Sequence, residues 1–223
     1  MTGNRSGRKS KKASRKPAAP FACRLVILAK VPVAGRVKTR LARQIGVAKA
    51  VQFYRATSAS VVARLARQPF WHTYISVTPD TDLANRALPR HVRRIGQGGG
   101  DLGQRMQLPM YDLPPGPVCV IGTDIPGVQV AHIRRAFRLL GGADVVFGPA
   151  EDGGFWLVGM RRRPRVVQPY AGVRWSHTET LSDVIANLGG YQVAFTQRLS
   201  DVDSAADWRR LQPTIGRRTR ALA

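Results

Sequence analysis

The chain has 223 residues, 43% of them hydrophobic, which suits one domain with a sizeable core or at most two small ones. No apolar run approaches the roughly 20 residues that cross a bilayer, and the N-terminus lacks the apolar stretch of a secretory signal, so a cytoplasmic location is expected. A formal charge of +23 favours anionic partners, whether nucleotides, sugar phosphates, nucleic acid or acidic headgroups, without choosing among them.

Residues 1–20 supply +7 of that charge, contain no acid and have almost no large apolar side chain, so they read as a disordered basic tail. Residues 21–212 read as one folded domain, and 213–223 as a flexible basic C-terminus. Cys23 and Cys119 each sit in an apolar run without the spacing of a metal site, and are expected as buried free thiols.

Cys23 to Ala29 is a first buried strand, and it feeds a basic loop from Lys30 to Leu41. Gly35 would let backbone amides converge on a phosphate there, while Lys30, Lys38 and Arg40 supply neutralising charge. The Gly-x-x-x-x-Gly-Lys-Ser/Thr spacing of a P-loop is absent. A helix is expected over 47–67, a strand over 73–78, a short helix over 82–88 and a strand over 92–95. A glycine-rich turn follows, with Asp101 as a helix N-cap and Arg105 in the first turn, both candidates for the nucleotide side.

Val118 to Pro126 is the stretch on which the rest depends. A short continuous apolar run ended by Gly and Pro suits a parallel strand covered on both faces. It stops at Asp124, where a strand-end carboxylate suits Mg2+ or Mn2+ carrying a phosphate, or caps the next helix. That helix is expected over 128–140, then a strand over 144–147 and another over 155–160, separated by an acidic turn with Asp152, Gly153 and Gly154. Ser176 would cap a helix ending near Leu188, and residues 191–196 form a last strand. Asp201 and Asp203 flank one Val, so in an extended segment both face one side, which motivates a cation. Asp203 also reads as the cap of a helix over 204–211. Strand and helix signals alternate throughout, which makes this an α/β domain with a mostly parallel central sheet flanked by helices.

Five motifs carry a resemblance: Ala29-Lys-x-Pro-x-x-Gly-x-x-Lys-Thr-Arg-Leu41, Gly100-Asp-Leu-Gly-x-Arg-Met106, Ile121-Gly-Thr-Asp-x-Pro126, Gly148-Pro-Ala-x-Asp-Gly-Gly-Phe155 and Asp201-Val-Asp-Ser-Ala-Ala-Asp207. Together they resemble the rSAM/selenodomain-associated transferases, whose members are described as glycosyltransferases of arsenosugar biosynthesis, within the nucleotide-diphospho-sugar transferase superfamily. The resemblance implies a single GT-A-like domain, phosphates held by Lys38 and Arg40, and a divalent metal, Mg2+ or Mn2+, on Asp124. Asp152, Asp201 and Asp203 would complete the acidic rim. His177 stands where Thr is expected and Ile125 where Cys is common. Gly153, Gly154 and Ser176 are candidates for the substrate side, and Asp124, Asp152 and Lys38 for catalysis.

The implied reaction is metal-dependent glycosyl transfer from a nucleotide sugar to a small-molecule acceptor. Nucleotidyl transfer from a nucleoside triphosphate to a small phosphorylated substrate is the alternative, since both need positioning and charge neutralisation rather than a covalent nucleophile. A non-catalytic nucleic-acid-binding module is a second alternative, against which stands an aromatic content of 7% without a recognition motif.

Overall fold

The computed structural model describes residues 21–202 and 205–209. The expected basic tails at 1–20 and 213–223, and the candidate ligand Asp203, lie outside the described residues. Seven strands form one sheet: β1 (Arg24–Lys30), β2 (His72–Thr78), β3 (Arg93–Gly96), β4 (Val118–Gly122), β5 (Val145–Pro149), β6 (Phe155–Met160) and β7 (Val193–Phe195). Their order across the sheet is β3-β2-β1-β4-β6-β5-β7. Every pair is parallel except those made by β6, which runs antiparallel to both β4 and β5.

Period-two alternation sorts the central strands between two helical layers. Leu25 and Ile27 of β1, with Cys119 and Ile121 of β4, face α2 (Val47–Ala66) and α4 (Val130–Leu139), where Val61, Leu65, Ile133 and Ala136 pack. Val26, Val118 and Val120 face the other way, onto Met106 and Met110 of α3 (Leu102–Asp112) and Val184 of α5 (Thr180–Ala186). Each fully buried Leu or Ile side chain contributes roughly 1.5–3 kcal/mol. β4 lies between β1 and β6 with both faces covered, so its C-terminal end has a fixed position. Cys119 is buried and Cys23 partly so, both as free thiols.

Three local expectations are corrected. The loop after β1 contains an extra helix, α1 (Thr39–Ile45), ended by Gly46 at φ 89 before α2 begins. Of the segment expected as a helix over 82–88 only Asp82 is helical, as the last residue of a short 3-10 turn over Asp80–Asp82. The rest is a loop held by the Arg94 guanidinium, which donates to the carbonyls of Leu83, Asn85 and Leu88 at 2.6, 3.1 and 2.6 Å. Ser176 does not cap α5, which starts four residues later, where Thr180 Oγ1 accepts from the His177 N–H at 3.2 Å. Within the segment expected as a helix over 204–211, residues 205–209 are helical. Among the described residues no helix is long and apolar enough to cross a membrane.

Candidate nucleotide and metal site

The carboxyl ends of β1 and β4 open into a cavity of about 640 Å³. Its floor is set by the way the two strands end. β4 gives out at Gly122, and Thr123 and Asp124 follow directly. From α2, the buried Tyr54 reaches under both strands: its hydroxyl accepts from the Lys30 N–H at 2.9 Å and from Thr123 Oγ1 at 3.3 Å, and donates to the Lys30 carbonyl at 3.1 Å. Burial, the largest cause, raises the Tyr54 pKa above its ordinary value, so the hydroxyl stays neutral and keeps the proton it donates. One phenol thereby ties the end of β1 to the residue before Asp124.

Lys38 stands at the start of α1 in the left-handed region, φ 47 and ψ 46. Non-glycine residues pay for that conformation, and they keep it where the surroundings over-determine it. Here it brings Nζ to 3.2 Å from Asp124 Oδ2, with the lysine side chain 5% exposed and the aspartate 46% exposed. The buried ammonium therefore backs a carboxylate that still faces the cleft.

The opposite rim comes from the β5–β6 turn. Asp152 Oδ1 accepts from the Gly154 N–H at 2.9 Å, which closes the turn, and Asp152 lines the cavity. Gly153, at φ 86, packs so tightly that a Cβ would lie 1.9 Å from the Thr178 carbonyl oxygen. Its own carbonyl accepts from the Leu181 N–H at 3.0 Å. That contact docks the acidic turn on the chain leading into α5, where Trp175 and Ser176 line the cavity. Ser176 is a second non-glycine residue at positive φ on this wall, at 58.

Lys30, Lys38, Asp124, Asp152, Gly154, Ser176, Arg105 and Asp201 are thus brought to one cavity from six separate stretches of chain. Others do not arrive. Gly35 and Arg40 are off the cavity wall, because the loop folds back on itself through Val33 N–H to Val31 O (2.8 Å) and Arg36 N–H to Val33 O (3.1 Å). Gly153 is a packing position. Asp101 touches the cavity, but its oxygens are taken: Oδ1 accepts from the Gln104 N–H at 2.8 Å in a capping box, and Oδ2 from Trp175 Nε1 at 3.3 Å. Those two bonds anchor it in the cavity wall. Sequence reasoning missed Gln97, which looked like part of a flexible glycine turn, and Tyr54, which read as one more apolar position on a helix face.

Among the described residues no three His, Cys, Asp or Glu side chains converge as a ready-made metal cage. The donors present nevertheless fit Mg2+ or Mn2+ in its phosphate-bound form, which takes one or two carboxylates and completes its shell with waters and substrate oxygens. Asp124, with Asp201 on the same cavity, supplies hard oxygens of that kind. A smaller recess of about 230 Å³ adjoins, lined by Lys30, Arg36 and Arg105 with Asp82, and it shares Lys30 and Arg105 with the main cavity.

The sequence profile described as "Uncharacterized protein conserved in bacteria (DUF2064)" matches residues 61–177. No curated protein matches the chain at a significant level. Among solved structures, a proposed nucleotide-diphospho-sugar transferase from Desulfovibrio desulfuricans G20 is similar with a TM-score of 0.78 at 29% identity, over 87% of each chain. CMP:2-keto-3-deoxy-manno-octonic acid synthetase, solved with CTP, has a TM-score of 0.57 at 11% identity, over 88% of this chain and 99% of that one. Rv0371c of Mycobacterium tuberculosis H37Rv, solved with manganese, has a TM-score of 0.51 at 15% identity, over 86% and 98%. The last two likenesses concern the fold alone.

Proposed function

The profile match spans more than half of the chain, so the protein belongs to the DUF2064 family, and from that premise we propose that it is a metal-dependent transferase using a nucleotide-activated substrate, transferring a glycosyl group from a nucleotide sugar to a small-molecule acceptor. The observation that carries this reading is the Asp124 carboxylate at the end of β4, backed at 3.2 Å by the buried Lys38 ammonium and open to a cavity large enough for a nucleotide. The likeness to the Desulfovibrio protein supports the donor class, and the motif resemblance to the arsenosugar transferases supports glycosyl transfer.

In this reading an acceptor oxygen bonds to the anomeric carbon of the sugar as the bond from that carbon to the diphosphate oxygen breaks. The electron pair leaves with the diphosphate, and the Lys38 ammonium meets the charge that develops there. Asp152 takes the acceptor proton on the oxygen that its turn leaves unused. Tyr54 holds Lys30 and Thr123 in register, so the phosphate side and the Asp124 carboxylate stay aligned. A divalent ion carried on Asp124, with Asp201 on the same cavity, would supply Lewis-acid neutralisation of the diphosphate.

One observation favours nucleotidyl transfer instead. The recess adds Arg36 to the Lys30, Lys38 and Arg105 cations of the main cavity, which suits the longer phosphate chain of a nucleoside triphosphate. Thermal-shift titration with Mg2+ or Mn2+ against nucleotide sugars, nucleoside diphosphates and triphosphates separates the two. Metal-dependent stabilisation by a nucleotide sugar above all others is the expected result. Stabilisation by triphosphates alone moves the assignment to nucleotidyl transfer, and no response to any nucleotide removes both.

A further inference from the structure

The two ends of the sheet differ in charge. β1, β2, β3 and β4 run parallel, so they start at one pole and finish at the cavity end. Acids follow the finishing ends: Asp80 and Asp82 after β2, Asp124 after β4, Glu151 and Asp152 after β5. Arginines gather at the starting pole. Arg67 caps the end of α2 before β2, Arg90 and Arg93 stand at the entry to β3, and Arg163 and Arg165 follow β6, whose reversed direction brings its end to this pole. All five are exposed. Among the described residues the acids flanking the strand starts are Asp112, at the end of α3, and Asp144, which is engaged by Arg161.

Two phenylalanines stand between these arginines. Phe21 is 57% exposed with the Arg163 guanidinium 4.0 Å over its ring, and Phe70 is 47% exposed with Arg134 at 4.2 Å. The segments that carry them lie side by side, since the His72 N–H donates to the Cys23 carbonyl at 2.9 Å. Behind them Arg24 is fully buried and Arg162 partly so, and both donate to carbonyls of the proline-rich loop before β4. Burial, and after it the Arg24 charge, lowers the Arg162 pKa, so the two guanidiniums stand close enough to repel. A layer of negative charge outside this pole relieves that repulsion.

We propose that this pole is a docking surface for an anionic membrane surface: the exposed arginines meet lipid phosphates, and Phe21 and Phe70 enter the boundary between headgroups and acyl chains. Residues 1–20, with seven basic side chains and no acid, join the chain at Phe21, so their attachment point is on the same pole. A single-stranded nucleic acid follows a groove instead, with its bases stacked along it. The two cavities described above open at the opposite end. Docked in this way, the protein turns its main cavity to the water, where soluble substrates reach it.

The test is flotation of the full chain with vesicles of phosphatidylcholine containing about one third phosphatidylglycerol, against pure phosphatidylcholine. Binding to the anionic vesicles only, falling as salt rises, is the expected result. Arg90→Glu with Arg163→Glu weakens it about tenfold or more, whereas Arg43→Glu with Lys49→Glu, an equal change of charge on α1 and the start of α2, leaves it within about twofold. Phe21→Ala with Phe70→Ala weakens it about tenfold at unchanged net charge. Melting temperatures show which variants are folded, and either pole variant suffices if the other is not. Equal loss in the two charge variants means that net charge alone is read, and overturns the pole as the site. Tighter binding to a single-stranded oligonucleotide than to the anionic vesicles at the same salt, lost in the pole variants, overturns the lipid assignment in favour of nucleic acid. No binding to the anionic vesicles overturns the proposal outright.

Discussion

Asp124 and Lys38 form a pair in which each partner answers a different question. Substituting Asp124→Asn keeps the shape, and it removes the charge that would hold a divalent ion. The expected outcome is loss of metal-dependent nucleotide stabilisation with a melting temperature near that of the wild type, read by the same thermal-shift titration; nucleotide binding that still depends on Mg2+ would exclude Asp124 as the ligand. Tyr54→Phe tests positioning instead of charge. It strands Lys30 backbone groups that the hydroxyl now serves, so a loss of about 1–2 kcal/mol in urea unfolding is expected. Nucleotide affinity is expected to fall with it, although the phenol reaches no ligand directly. Lys38 and Asp124 were readable in the sequence because a strand-end acid and a basic loop after the first strand have one sensible place to go. The placement of Gly35, Arg40 and Gly153 off the cavity wall was not, since loop composition does not say which side of a loop faces the cavity, and neither were the bonds that Asp101 accepts from Gln104 and Trp175.

At the scale of elements, the chain from Arg174 to Thr180 depends on α5. The Arg174 guanidinium donates to both oxygens of Asp183 at 2.8 and 2.7 Å, and the Arg174 N–H adds a third bond at 3.0 Å. The Arg174 side-chain hydrogen bonds, followed by its backbone N–H, hold the Asp183 pKa at about 2. An unfolded aspartate titrates near 3.9. The folded value is the lower one, so the contribution to stability is fully present above about pH 4 and lost as pH falls through about 2. Acid titration followed by hydrogen exchange at 174–180 should show that segment loosening in this window, carrying Trp175 and Ser176 off the cavity wall. In Asp183→Asn the looseness is expected already at neutral pH. Period and punctuation located most of the strands, but not the direction of β6, because alternation along a strand is the same read from either end. The loop expected as a helix over 82–88 was hidden for another reason: the Arg94 that holds it as a loop belongs to the next strand.

For the whole molecule, the donors on the cavity imply an order of assembly. With no three-ligand cage among the described residues and an ammonium already on Asp124, Mg2+ alone has little to gain. Its addition without nucleotide is expected to leave the melting temperature nearly unchanged, whereas metal and nucleotide together at a hundredfold excess over Kd contribute about 2.7 kcal/mol. A large shift with Mg2+ alone would mean that a complete protein cage exists. The fold class was legible from alternating strand and helix signals, because the layered packing they imply has few solutions. The rim was less so, since it is built from residues far apart in the chain.

The reversed strand β6 has an effect on how this architecture can change. β1, β3 and β4 each lead into helices packed on the sheet, so the side of the cavity with Lys38 and Asp124 is built from connections whose length is tied to the layers they cross. β5 and β6 are joined instead by a turn of a few residues, which emerges at the cavity rim carrying Asp152. Gly153 docks that turn on the chain before α5, so a change in its length shifts the rim and leaves the crossovers in place. A change confined to that turn therefore bears on Asp152, while the connections after β1 and β4 keep Lys38 and Asp124 where they are.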